Sequence, residues 1–286
     1  MQEITKNIHI EDQFPGATLG VIVTPRGLIQ IDAPPSPEDA RSWRAALMNL
    51  GGGIERALIN LDGHPDRTLG ARAMDCIVIA HEKTANSFRA RPSIFKAQGE
   101  ETGSDWESIA GLGSVRWSPP EISFVDKMAL HWDESSPILL EHRAGPTNGA
   151  IWVNLPTEKI VFVGDAVLKN QPPFLAGSNL EAWVSALEVL LSPEFKGYTI
   201  ISGRGGVVTT NVVKTQLEFL GQIQTKIGKI TTKKPNPAAV EKLVASLIVW
   251  FKAPAARQKQ YAQRLRYGLL HYNMRQDHTF NAPPEE

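Results

Sequence analysis

The chain has 286 residues, with 30 basic and 30 acidic side chains, a formal net charge of zero and a 42% hydrophobic share. That is ordinary globular composition, long enough for one large domain, and the charge balance gives no electrostatic basis for nucleic acid or an anionic membrane as partner. A single cysteine, Cys76, excludes an intrachain disulfide and a multi-thiolate zinc site; its apolar neighbours mark it as a buried small hydrophobe.

Residues Met1 to Gln13 are polar and mixed in charge, without the apolar core of a signal peptide, and no apolar run approaches membrane-spanning length. A cytoplasmic protein is the expectation. Residues 17–24 and 27–31 read as two apolar strands around Pro25-Arg26-Gly27, a hairpin pattern. Ser36-Pro37-Glu38-Asp39 starts a helix, with Ser36 as N-cap and proline in the first turn. Ala40, Trp43, Leu47 and Leu50 continue it at helical spacing until Gly51-Gly52-Gly53. A strand over 57–60 leads into Leu61-Asp62-Gly63-His64-Pro65-Asp66-Arg67, followed by a short helix near 68–74, a strand over 76–80 and a helix over 83–97.

Between Gln98 and Ser118 periodicity fades and a long surface loop is predicted, the kind of segment that often forms a functional lid. A second β-rich half then offers strands at 121–125, 138–142, 151–155 and 160–164. An amphipathic helix over 179–191 and a strand over 198–202 follow, the strand ending at Gly203-Arg204-Gly205-Gly206. Beyond that, three helical faces are legible: Val213 to Ile227, Val240 to Phe251, and Tyr261, Leu265, Leu269, Tyr272. The basic residues Arg257, Lys259, Arg264 and Arg266 read as a solvated helix face.

In this order, the following landmarks resemble the metallo-β-lactamase superfamily over roughly the first 210 residues. The hairpin ending at Ile31-Asp32 resembles the family's early strand pair and its aspartate. Asn60 to Arg67 resembles the metal loop, which normally reads Thr/Asn-Thr-His-x-His-x-Asp-His. Gly145-Pro146-Thr147-Asn148-Gly149 resembles the family's glycine-histidine-threonine-x-glycine turn. Phe162-Val163-Gly164-Asp165 resembles the strand ending in the bridging aspartate, with Ile201 to Gly205 as the later proline-glycine-histidine-glycine turn. The resemblance implies an α+β, four-layer αββα sandwich over residues 1–210. Residues 211–286 are then a helical C-terminal extension packed on the same domain.

In active members, five histidines and two aspartates hold two zinc ions that activate a bridging hydroxide. Carried over position by position, four of those seven ligands are missing here. Asp62 stands at the first histidine and Arg67 at the one beside the aspartate. Pro146, or a deletion, stands at the third, and Arg204 at the last; His64, Asp66 and Asp165 are kept. Arginine has no acceptor lone pair and does not deprotonate in proteins, so Arg67 and Arg204 cannot bind zinc. They can instead pair with the remaining carboxylates and occupy the place of a cation.

The resemblance therefore implies a protein that has lost its binuclear centre and is not a zinc hydrolase. Its cleft is expected to serve an unidentified small molecule, with Arg67, Arg204 and Asn148 available to an anionic group. No cofactor is expected. The second reading is a hydrolase of an ester, thioester or lactam-like bond, using one zinc, manganese or iron ion held among Asp62, His64, Asp66 and Asp165. A third is a scaffold or homodimer formed through the C-terminal helices. His81 is expected to be a polar helix-entry residue and His142 a partly exposed sheet residue. No Gly-x-Ser-x-Gly elbow supports a serine-hydrolase reading.

Overall fold

A computed structural model describes residues 1–97, 99, 101–134, 136–227 and 236–276, the side chains of 273–276 excepted. Two sheets form its centre. The first runs β1 (Gln2–Thr5), β2 (Ile8–Glu11), β3 (Leu19–Val23), β4 (Gly27–Ile31), β5 (Glu55–Ile59), β6 (Ile77–His81) and β7 (Ile122–Phe124), in that spatial order. β1 to β4 pair antiparallel, whereas β4, β5, β6 and β7 are parallel, with Ile31 opposite Ile59 and Ile59 opposite Ile79. The second sheet is ordered β13 (Val207–Val208), β12 (Thr199–Ile201), β11 (Ile160–Phe162), β10 (Ile151–Leu155), β9 (Ile138–His142), β8 (Lys127–Leu130).

Alternation along the strands explains why the sheets stack. Ile151, Val153 and Leu155 of β10 join Ile29, Ile31, Ile59, Ile79, Phe162 and Ile201 in the layer between the sheets. Trp152 and Val161 point the other way, beneath helices. A strand buried on both faces reads as a continuous apolar run, as 151–155 does. Outside the first sheet pack α1 (Pro37–Leu47), through Ala40, Trp43 and Leu47, and the short α3 (Ala71–Met74). Outside the second sheet pack α5 (Leu180–Leu190), α6 (Thr210–Ile227), α7 (Pro237–Ile248) and α8 (Ala255–Gln276). The αββα layering is as expected, and residues of α6, α7 and α8 share one core cluster with α5.

Four short strands escaped the sequence pattern. β1 and β8 are largely exposed edge strands, β2 has only two apolar residues, and β13 has two residues in all. The predicted strand at 121–125 is β7, and it completes the first sheet rather than opening the second. The helix expected over 83–97 is α4 (Glu82–Ala90) and stops early. Pro92 is the reason: the residue before a proline is driven out of the helical region, and Arg91 is extended at φ −84°, ψ 155°. The helix expected near 68–74 is split into α2 (Pro65–Thr68) and α3.

No helix among the described residues is long and apolar enough to cross a membrane.

Candidate functional site

The parallel strands of the first sheet and two strands of the second release their chains at one edge of the sandwich. Asp32 follows β4, Asp62 and His64 follow β5, His81 ends β6, Asp165 follows β11 and Arg204 follows β12. Loops at strand ends carry side chains on a rigid frame, the usual place for chemistry. Asp32 joins two of them: it takes the left-handed conformation (φ 58°), and its Oδ1 accepts from the Leu61 amide at 2.9 Å.

The loop of residues 61–67 is held by its own short-range bonds. Asp62 Oδ1 accepts from the His64 amide at 2.8 Å, and His64 Nδ1 accepts from the Asp66 amide at 3.2 Å, capping α2. Pro65 at the first helical position needs no donor partner there. The next turn aims Arg67 inward, where it is 0% exposed.

Arg67 meets three carboxylates. Its Nη1 donates to Asp32 Oδ2 at 2.8 Å, its Nη2 to Asp165 Oδ1, and its Nε forms an ion pair with Asp62 Oδ1 at 3.1 Å that is not aligned as a hydrogen bond. Arg204 meets three more groups and shares Asp165. Its Nε donates to both Asp165 oxygens at 3.1 and 3.2 Å. Its Nη1 reaches Asp66 Oδ2 at 2.7 Å and Asp105 Oδ2 at 3.1 Å, and its Nη2 approaches His64 Nδ1 at 3.3 Å. His64, Asp66 and Asp165, the three residues that match the family's pattern in the sequence, thus converge on one guanidinium.

Asp105, Arg257 and Arg264 belong to the cluster and were not legible as site residues. Asp105 lies in the long loop and accepts from Arg204, Arg257 and Arg264. Arg264 of α8 was expected on a solvated face; it is 1% exposed, donating to the Gly103 carbonyl at 3.0 Å and to Asp105 at 3.3 Å. A signal existed, since position 264 adjoins the apolar stripe of Tyr261, Leu265 and Leu269. Arg257 is likewise paired and half exposed, while Arg266 binds Glu241 at the surface. Phe174 closes the arrangement: Arg204 and Arg264 lie over its ring at 4.6 and 4.1 Å, and the His64 ring is 4.3 Å away.

The predicted long loop folds onto this cluster. The Trp106 amide donates to Asp66 Oδ1 at 2.6 Å and the Asp105 amide to Asp66 Oδ2 at 3.3 Å. Phe95, Leu112, Val115 and Trp117 pack with Phe88 and Leu69 and anchor the loop around those bonds.

Burial and charge work against each other here. Burial pushes the Asp32 carboxyl up to about 7 although Arg67 opposes it. Asp62 and Asp66 are also raised, by burial more than their arginine partners lower them. Burial would raise Asp165 too, but Arg204 and Arg67 outweigh it and hold the carboxylate well below its ordinary range. Burial and then Arg204 push His64 well below its usual range, so its ring is neutral. Burial and Arg204 bring Arg264 down to about 10.

The remaining expected residues lie to one side. His81 caps α4, its Nδ1 accepting from the Lys83 amide at 3.1 Å, and its ring stacks on His142 at 3.9 Å. His142 Nε2 meets the Asn148 carbonyl at 2.8 Å, which places the Asn148 backbone beside β9. Burial pushes the Cys76 thiol up to about 11, and Gln30 Nε2 lies 3.6 Å from its sulfur.

Zinc does not fit this arrangement. A zinc ion needs about four ligand atoms at roughly 2.0–2.3 Å with free lone pairs. The His64 Nδ1 lone pair is taken by the Asp66 amide, and the carboxylates are directed at guanidinium groups. Among the described residues, no three His, Cys, Asp or Glu side chains form a group able to hold a metal ion.

No protein-family profile matches the sequence, and no curated protein is significantly similar to it. Solved structures are similar in shape. A metallo-β-lactamase from Pontibacter korlensis superposes with a TM-score of 0.59 at 17% identity, covering 77% of this chain and 97% of its own. The DIM-1 metallo-β-lactamase exposed to ceftazidime gives 0.60 at 15% identity, over 77% of this chain and 95% of its own. TMB-1 gives 0.61 at 13% identity, over 78% and 97%. The chain has the metallo-β-lactamase fold. These superpositions span nearly the whole of each neighbour and leave about a quarter of this chain outside them.

Proposed function

We propose that this is a metallo-β-lactamase-fold protein that does not work as a binuclear zinc hydrolase, its metal centre replaced by an internal arginine–aspartate cluster. The observation that carries the reading is the convergence of His64, Asp66 and Asp165 on the Arg204 guanidinium. Five carboxylates (Asp32, Asp62, Asp66, Asp105, Asp165) face four guanidinium groups (Arg67, Arg204, Arg257, Arg264). Cations fixed by the chain itself offset the repulsion among buried carboxylates that metal ions would otherwise relieve.

The cluster's role on this reading is to tie the long loop and α8 to the strand ends. Arg67 and Arg204 then serve the protein's own carboxylates rather than the anionic ligand first expected of them. The hydrolase reading with one metal at Asp62, His64 and Asp165 would require both arginines to withdraw and leave aspartates unpaired.

Elemental analysis of protein purified without chelator, then equilibrated with zinc chloride and desalted, tests the proposal. Far less than one zinc per chain is the expected result. Close to two zinc ions per chain would overturn it, and one ion with activity lost in His64→Ala would establish the single-metal hydrolase instead.

A further inference from the structure

One end of the cluster is built unlike the rest. Three guanidinium groups converge on the Asp105 carboxylate of the long loop, from Arg204 after β12 and from Arg257 and Arg264 of α8. Arg257 Nη1 donates to Oδ1, where Gln260 Nε2 also donates at 3.3 Å. Arg204 Nη1 and Arg264 Nη2 donate to Oδ2 at 3.1 and 3.3 Å. Arg204 has Asp66 and Asp165 as further partners, whereas among the described residues Arg257 and Arg264 form their ion pairs with Asp105 alone. Arg257, Gln260 and Arg264 stand at i, i+3 and i+7 and share one face of α8. Several guanidinium forks around one carboxylate make the arrangement by which proteins recognise carboxylate ligands.

The segment that carries this carboxylate is polar throughout. Glu101-Thr102-Gly103-Ser104-Asp105 has no apolar side chain. α8 holds its backbone by side-chain bonds: Gln263 Nε2 to the Glu101 carbonyl at 2.6 Å, Arg264 Nε to the Gly103 carbonyl at 3.0 Å, and Gln260 Nε2 to the Ser104 carbonyl at 3.2 Å. The Glu107 carboxylate closes the segment on itself, accepting from the Thr102 amide at 2.6 Å and the Gly103 amide at 3.1 Å. The apolar anchors of the long loop, Phe95, Leu112, Val115 and Trp117, lie outside it. Segments with few buried apolar contacts open at low free-energy cost. Asp105 is 4% exposed, while the Arg257 side chain is 43% exposed and is the one of the three arginines that borders solvent.

We propose that Arg204, Arg257 and Arg264 form a binding site for a carboxylate ligand, which Asp105 occupies in the closed chain and an external carboxylate takes when residues 101–105 lift from α8. The inference rests on the reading above, in which Arg204 pairs with the chain's own carboxylates. The present occupant fixes the chemistry of the site, because forks placed on two carboxylate oxygens match another carboxylate in the same way. Asp105 competes as a tethered ligand, so an external carboxylate binds the wild type more weakly than a chain without that side chain.

Asp105→Ala removes one carboxylate group and leaves a space of formate size, so sodium formate is the probe and sodium chloride at equal ionic strength the control. The expected result is that formate raises the melting temperature of full-length Asp105→Ala saturably and chloride does not. If the variant is unfolded in chloride, its refolding on addition of formate is the same readout. Adding Arg257→Ala, at a half-exposed position, should raise the formate needed for half the effect at least tenfold. In the wild type, formate at about tenfold or more above the half-saturating concentration of Asp105→Ala should speed hydrogen exchange of the 102–106 amides, because ligand and loop compete, while the Val115 and Trp117 amides keep their protection. The proposal is overturned if chloride acts as formate does, if the double variant responds like the single one, or if wild-type exchange at 102–106 does not change. Arg257 and Arg264 bond to Asp105, Gln260, Gly103, Gln171 and Pro172. A chain that ignores formate and still takes up no zinc therefore overturns this site and leaves the proposed function standing.

Discussion

Arg67 is the residue on which the cluster depends most directly. Its guanidinium is fully buried and faces Asp32, Asp62 and Asp165 at once, a geometry that a planar fork with five donors can satisfy and an ammonium cannot. Replacing it with methionine leaves three buried carboxylates short of a cation. Breaking a buried pair from one side costs about 3–5 kcal/mol, so Arg67→Met should lose stability on that scale in chemical denaturation, or fail to fold. Arg67→Lys keeps the charge but not the fork, and should fall between the two. If both variants unfold at the wild-type denaturant concentration, the cluster contributes nothing to stability.

At the scale of elements, the cluster fastens pieces that are far apart in sequence. The loop of residues 101–118 is tied to α2 through Asp66 and to α8 through Asp105 and Gly103. Gly103 is placed for that contact: it has φ +78°, and a Cβ there would come within 2.5 Å of the Arg264 amide nitrogen. Gly103→Ala therefore meets both a left-handed backbone and the α8 main chain. Ala at such a position costs upward of about 1 kcal/mol from conformation alone. Hydrogen exchange should show α8 amides losing protection in this variant while β10 and β11 keep theirs. Uniform protection across both would mean that loop and helix are not coupled through this contact.

For the whole molecule, the raised and lowered carboxyls give opposing pH terms. Asp32 holds its proton more tightly folded than unfolded, up to about 7 against an ordinary 3.8, so its contribution to stability is present at low pH and is lost as pH rises through that window. His64 works the other way: folded, it resists protonation, so its contribution is full above its ordinary 6.5 and is lost as pH falls. Asp105 and Asp165, both held low mainly by arginines that outweigh burial, contribute above 3.8 and lose that contribution below it. Removing the Asp32 titration takes away one of the opposing terms and leaves those of Asp62 and Asp66, which burial also raises. Asp32→Asn is expected to show unfolding free energy climbing more steeply from pH 4 to pH 7 than the wild type, by on the order of a few kcal/mol across the window. Parallel profiles for the two proteins would place the Asp32 titration elsewhere.

The strand and helix pattern of the sandwich was legible in the sequence because burial between two sheets imposes long apolar runs such as 151–155, and helices on the outside show period. The four short strands were not, since an edge strand such as Lys127–Leu130 carries almost no apolar pattern. At the site, residue chemistry alone determined that positions 67 and 204 cannot ligate zinc, because a guanidinium has no lone pair to give. What those arginines do required the tertiary structure. Asp105 and Arg264 lie 159 residues apart, and no local pattern couples a loop carboxylate to a helix cation at that separation. Long-range packing decided that a helix face read as solvated turns one arginine inward, and that the carboxylates clustered at the strand ends are matched by cations from three separate parts of the chain.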